Sequence, residues 1–540
     1  MSATPVAAPS VRSKADAQRA AAWVHYVTLA IGAFTLLYLA RNQWFYFDEW
    51  DIIWPAEAAR RFVEGHNGHW SSVPIAVWTA IQRTLGLGSY LPYIGVAIAA
   101  HLAVAHLLWR VLRRIRALPW VATSLITVFI FFGAAAENLM WAFQMGFMGA
   151  MAFGLGALLV ALRPTLGIGG LVSVIILLTL GAATAGTSLP LFFVVAIVIL
   201  YRHGWRTALI GVGVPSIIYL VWYVFIAGPN PTAIYRAQSV GEMLRGIPEF
   251  VAHMFVGAYD ASTPVPGFGI VVITAIGLWV VLLIVGRKLT TEVVVATGML
   301  ASGVLFAALT AYSRLELGVG SAAESRYVYA VVIYTLPALA LMLTLLTRDS
   351  IARLIAIISL IAIVFAFNVG TLISQAGGGA TREVHTHELI SAALELSQAH
   401  PGEIDPDSRP DPIYLPRTLA QLQSLEATSG LTRIPFADDV RLTALTNVGL
   451  NTAPSPDSSE SCVGELQKGT VFTVDARGVV IDSPSGAALT LFARDGETQG
   501  ASRTLDVPAG RTELTSVEPT TVIVEDLTAP ITLCGQSSTS

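Results

Sequence analysis

The sequence predicts a mainly α fold: a polytopic membrane bundle of about 11 spans, followed by a C-terminal extracytoplasmic α+β region that ends in a β-sandwich. Three observations predict it. Of the 540 residues, 54% are hydrophobic and 13% are charged, where a soluble domain carries roughly 25% charged residues. Apolar runs of about 18 to 22 residues, each able to cross ~30 Å of hydrocarbon as a helix, recur between residues 22 and 375. Beyond them the pattern changes to short alternating runs rich in β-branched residues and broken by Gly, Pro and Asp. A net charge of −4 without a basic block excludes a surface that tracks the phosphates of nucleic acid.

Residues 1–21 form a polar, weakly basic leader, in which Arg12, Lys14 and Arg19 favour the cytoplasmic side. The run that follows is too long for a cleaved signal and reads as a first span. The expected spans are 22–40, 91–112, 118–136, 145–162, 166–186, 188–201, 207–227, 267–286, 292–312, 327–347 and 351–375. With the N-terminus inside, the Arg-bearing turns "RVLRRIR", "YRHGWR", "GRK" and "RDSIAR" are cytoplasmic, as the positive-inside bias requires. The long segments 41–90, 228–266 and 313–326 and everything after 375 are then external, in a multi-pass protein of the plasma (inner) membrane. Within the membrane domain, 22–375, loop 41–90 has apolar residues at helical spacing and reads as short interfacial helices. Its aromatics, among them Trp44, Phe45, Trp50, Trp54, Trp70 and Trp78, suit the headgroup depth. "QAGGGA" reads as a flexible hinge into a helical and irregular connector, 376–460. The sandwich occupies 461–540 and is bracketed by Cys462 and Cys534, the only two cysteines. On an oxidising face of the membrane these form a disulfide.

Four constellations carry polar chemistry. "FYFDEWD" (45–51) packs Asp48, Glu49 and Asp51 among aromatics where a span ends. An aromatic environment disfavours an ionised carboxylate and suits one of the three to act as a base, whereas the ordinary alternative is a solvated helix cap. "EGHNGHW" sets His66 and His69 around Asn67, but Gly65 and Gly68 argue against a rigid helical pair of metal ligands. Glu137, Asn138 and Gln144 stand between two spans, where polar groups line a watered cavity or fix the bundle through hydrogen bonds. Trp141 and Phe143 beside them read as interface anchors. "AYSRLELGVGSAAESRYVYA" places Arg314, Glu316, Glu324 and Arg326 at the ends of two spans, with Tyr327 following. Guanidinium groups there suit a phosphate, and an Arg–carboxylate lock is the alternative. No Walker loop, GxSxG elbow or HExxH helix appears in a supporting context.

This order of parts resembles the C-type (GT-C) membrane glycosyltransferases: a first helix, an acidic motif opening the first external loop, interfacial helices, further spans and a trailing external domain. "FDEWD" is similar to the Asp/Glu motif these enzymes carry there. With its Ala-, Gly- and Arg-rich composition the chain looks most like actinobacterial cell-envelope transferases, including those using a decaprenyl-phosphate arabinofuranose donor. The resemblance implies transfer of a sugar from a polyprenyl-phosphate donor to an envelope glycan, lipid or protein acceptor. It implies Asp48 as base, with Glu49 and Asp51 assisting, or Asp48 and Asp51 holding a divalent cation such as Mg or Mn. Arg326, and after it Arg314, His66 and His69, would hold the donor phosphate; Asn67, Glu137, Asn138, Gln144 and Tyr327 would line the substrate site. The C-terminal sandwich would hold carbohydrate. Two other classes compete: an envelope-lipid transporter or flippase, in which the same charges line a pathway, and a non-catalytic glycan-binding scaffold.

Overall fold

The computed structural model describes residues 11–286, 289–455 and 462–534. The first ten residues of the leader, most of the "GRK" turn and the boundary proposed at 460/461 lie outside the described residues. The chain divides into two compact units, one of Met1–Gln43, Pro55–Ala80 and Leu91–Gly379, the other of Trp44–Trp54, Ile81–Tyr90 and Ala380–Ser540.

The first unit is helical. Each of the eleven expected spans is a helix, but among the described residues nine are long and apolar enough to cross a membrane. A tenth is the bent pair Pro119–Ile130 and Gly133–Met140, whose axes differ by 43°. Ile168–Ala182 is apolar but only 15 residues long. The bend has a local cause. Phe131 leaves the helical region, and Gly133 lies so close to the backbone of Asn368 and Leu372 that no Cβ fits.

Segment 228–266, expected as a loop, contains the 21-residue helix Val240–Asp260. Its start is a capping box: Ser239 Oγ accepts from the Glu242 N–H while the Glu242 carboxylate accepts from the Ser239 N–H. The expected hinge is also helix. Ile351–Ala399 runs through 49 residues, about 74 Å at 1.5 Å per residue, without interruption at the glycines. The helix's four glycines, Gly370 and Gly377 to Gly379, cost roughly 1 kcal/mol each relative to alanine, which flanking turns absorb.

The second unit gathers two pieces of the first loop and the chain from Ala380 onward. Its sandwich begins earlier than expected, at Leu450. The strands are β1 (Leu450–Pro454), β2 (Cys462–Glu465), β3 (Val471–Val474), β4 (Val479–Ser483), β5 (Ala487–Asp495), β6 (Thr498–Gln499), β7 (Arg503–Val507), β8 (Gly510–Ser516), β9 (Thr520–Leu527) and β10 (Thr532–Cys534). One sheet has the order β1-β8-β4-β10-β2; the other runs β3-β9-β5-β6, with β7 also on β5. Alternate residues, such as Leu489 and Leu491 of β5 and Val522 and Val524 of β9, point into one shared core. Cys462 and Cys534 face each other across β2 and β10 and form the expected disulfide. It closes a loop with a sequence separation of 72.

Candidate active site residues

The acidic motif lies in the second unit, and its three carboxylates have different surroundings. Gln43 leaves the first span extended, and Trp44, Phe45 and Trp50 are buried, so these rings are core residues and not lipid-facing anchors. Trp78 of the first unit and Trp141 are likewise buried. Trp44 stacks on His387 at 3.7 Å between centroids, and its N–H donates to Glu383 at 2.8 Å. Phe45 meets Tyr90 edge-on at 5.2 Å. These contacts fix the strand-like approach to the motif.

Phe47 then takes φ 48°, in the left-handed region that costs a non-glycine residue about 1 kcal/mol or more. Its ring is 46% exposed, so the aromatic burial expected around Asp48 is absent. Asp48 follows at the N-cap of Glu49–Ile53 and is half-buried, but its side chain makes no capping hydrogen bond. Glu49 is fully buried; one carboxylate oxygen accepts from the Tyr46 N–H at 2.8 Å and the other from the Tyr90 hydroxyl at 2.8 Å. Asp51 accepts from Arg417 Nη2 at 2.7 Å, and Arg417 is itself buried. Glu49 is therefore a structural acid and Asp51 an ion-paired one. Tyr90, Glu383 and Arg417 escaped the sequence reading, because they lie about 40 to 370 positions away in the chain and carry no local motif.

A divalent cation does not fit this motif. Glu49 and Asp51 have their oxygens engaged by Tyr46, Tyr90 and Arg417, and hard cations take about six oxygen ligands. Among the described residues the only group of three potential ligands is Cys462, Asp482 and Cys534, whose sulfurs are joined to each other.

The basic residues lie in the first unit. "HNGH" is a two-residue hairpin: His66 and His69 exchange both backbone hydrogen bonds, at 2.9 and 2.8 Å, across Asn67 (φ 49°) and Gly68 (φ 79°). Positive φ at both central positions is what an Asn-Gly type I′ turn supplies. His66 is buried, with Nδ1 at 2.7 Å from Arg61 Nη1 and Nε2 at 3.0 Å from the Asn67 amide. Arg61 can only donate, so Nδ1 accepts from it. Asn67 thus closes the turn onto His66, and both were expected to hold substrate or phosphate.

His69 is the open member of the pair. Its side chain is solvent-accessible. Burial, then the charge of Arg314, then His66 push its imidazole down to about 4, so the ring is neutral at pH 7. Gly186 lies against it: a Cβ there would stand 2.8 Å from His69 Nδ1. Arg314 ends the helix Thr291–Arg314, where a cation complements the helix dipole. Its Nη1 is buried with no hydrogen-bond partner, and its guanidinium lies 5.9 Å from the Tyr235 ring centroid.

Arg326, the residue first expected on phosphate, is occupied. Nη1 donates to Glu137 Oε1 at 3.2 Å, Nη2 bonds the Glu324 carboxylate, and the group sits 5.3 Å from the ring of buried Tyr327. The Arg–carboxylate lock prevails here because two acids converge on one guanidinium. Asn138 and Gln144 are buried and bonded to each other at 3.3 Å, which joins the two sides of the break after Met140.

No known protein family, characterised protein or solved structure matches this chain. The functional reading rests on its own residues.

Proposed function

We propose that the protein transfers a sugar from a polyprenyl-phosphate donor to an envelope acceptor at the external membrane face, with Asp48 as general base. The observation that carries this reading is the left-handed Phe47 (φ 48°) immediately before Asp48, at the turn that opens the helix Glu49–Ile53. Backbone strain that positions one carboxylate is a mark of functional turns.

In the proposed step the acceptor hydroxyl oxygen forms a bond to the anomeric carbon and passes its proton to Asp48. The bond from that carbon to the phosphate oxygen breaks, and its electron pair leaves with the polyprenyl phosphate. Developing positive charge at the anomeric carbon makes the transition state oxocarbenium-like. An apolar cavity of about 240 Å³ in the bundle, walled by residues such as Leu125, Phe129, Val271, Leu336 and Leu360, would accommodate part of an isoprenoid tail.

The test is product formation: purified protein in nanodiscs, radiolabelled polyprenyl-phosphate sugars, envelope acceptors, and chromatographic analysis of the label. Labelled acceptor is the expected result. Labelled donor carried across a vesicle bilayer with no product would replace this reading with the transporter.

A further inference from the structure

Four helix ends meet at one corner of the first unit: the last residues of Met145–Ala161 and Leu189–His203, and the first of Ile168–Ala182 and Trp205–Phe225. The ties between them are specific. His203 Nε2 lies 3.0 Å from the Ala161 carbonyl, while Arg202 donates from Nη2 to the Arg163 carbonyl at 3.3 Å and from Nη1 to Thr291 Oγ1 at 3.1 Å. These two side chains serve carbonyls at a helix end, where intrahelical donors run out. The two helix starts lie side by side, since a Cβ on Gly211 would stand 3.0 Å from Leu171 Cδ1. Ile168–Ala182 is the short member: its 15 residues span about 22 Å, against ~30 Å of hydrocarbon. Its far end is packed, with Ser188 and Phe153 against Gly181, whereas nothing lies within 4 Å of a Cβ built on Gly167 or Gly169. The shortfall therefore opens at its start.

That opening is cationic at its rim and apolar beyond it. Between 161 and 170 and between 200 and 210 the sequence holds Arg163, Arg202 and Arg206 and no acid. Glu292, which feels the charge of Arg202, is ion-paired with Arg116 at 3.1 Å. Arg163 and Arg206 are exposed, and among the described residues neither guanidinium has a hydrogen-bond or ion-pair partner; Arg206 has the Trp205 ring, 5.4 Å away. Trp205 is itself 62% exposed, as suits an indole at headgroup depth. Ile168, 84% exposed, with Val172 and Leu209, continues the surface as an apolar face. A ligand that satisfies both parts carries an anionic head and an apolar chain. Guanidinium forks take phosphate oxygens bidentately. A free anion would leave the apolar face bare, and a neutral lipid would leave two guanidinium groups without a counter-charge.

We infer that this corner binds the headgroup of an anionic phospholipid, with Arg163 and Arg206 on its phosphate, Trp205 beside it and the acyl chains along Ile168, Val172 and Leu209. The inference goes beyond the transfer reading and needs neither donor nor acceptor. The experiment is native mass spectrometry of the full chain in detergent, titrated with phosphatidylglycerol, with phosphatidylcholine of the same acyl chains and with a polyprenyl phosphate. The unfolding temperature is followed in parallel, with inorganic phosphate as a further arm. Phosphatidylglycerol should bind about tenfold more tightly than phosphatidylcholine and raise the unfolding temperature, whereas inorganic phosphate should not raise it. Arg163→Gln and Arg206→Gln should each weaken phosphatidylglycerol binding about fivefold, the weight of one arginine facing an anionic lipid, with the lipid-free unfolding temperature unchanged. Arg110→Gln combined with Arg114→Gln removes two exposed arginines from another turn and should leave that binding as it is in the wild type. Equal binding of the two phospholipids, tighter binding of polyprenyl phosphate than of phosphatidylglycerol, equal protection by inorganic phosphate, or an equal loss in the Arg110 and Arg114 variant would each overturn the site. Binding untouched by Arg163→Gln and Arg206→Gln would do the same. Because product formation is measured separately, such a result would remove the lipid site and leave the transfer reading standing.

Discussion

Glu49 has both oxygens occupied inside the protein, by the Tyr46 N–H and the Tyr90 hydroxyl. Removing one donor therefore leaves a buried carboxylate oxygen without a partner, at a cost of about 1 to 3 kcal/mol. Tyr90→Phe should lower stability by that amount in thermal unfolding while leaving the chemical step intact. Asp48→Asn should behave in the opposite way: it keeps size and polarity but cannot take a proton, so turnover should fall by about 10² to 10⁴ with donor affinity little changed. If Asp48→Asn retained full turnover, the helix-start reading of the motif would stand instead. Arg326→Ala should act mainly by releasing Glu137 and Glu324, and so lower stability. His69 gives a pH signature. With its folded pKa held down to about 4 from the ordinary 6.5, the unfolded chain binds more protons between these values. Stability from this residue is then full above pH 6.5 and is lost as pH falls toward 4. Comparison of wild type with His69→Asn over that window should show the wild type alone losing stability from this source.

At the scale of elements, the long helix Ile351–Ala399 decides between two readings of its glycines. Gly377 and Gly378 have open space where a Cβ would stand and show no left-handed φ. Gly377→Ala and Gly378→Ala should therefore each stabilise the protein by about 0.5 to 1 kcal/mol, and Gly378→Pro should destabilise it by about 3 kcal/mol. Differential unfolding measures both, and a hinge would tolerate the proline. The cross-strand disulfide makes its own prediction. Breaking it with Cys462→Ser should cost roughly 4 kcal/mol in the chain-entropy account of a loop this long. Alkylation without reductant, followed by intact-mass analysis, should find no free thiol. Helix Val240–Asp260 was legible in Ser239 and Glu242 at capping-box spacing, yet the surrounding Gly and Pro residues argued for a loop. Packing overrode that composition.

For the whole molecule, the orientation with the N-terminus inside is an expectation from the Arg-rich short turns. A reporter fused at Ser540 should be active only if it functions outside the cytoplasm; cytoplasmic activity would move the proposed site to the other face. The sequence alone determined the membrane character, the positions of the apolar helices, the sheet-rich C-terminal region and the pairing of its two cysteines. These follow from local hydrophobicity, period and the presence of a single possible partner, none of which needs long-range geometry. Only the tertiary structure decided which polar residues are spent on the fold. Glu49, Asp51 and Arg326 read in the chain as reactive charges, but Tyr90, Arg417, Glu137 and Glu324 meet them from distant positions. A charged group's role depends on which partners burial brings to it, and burial is a property of the folded chain.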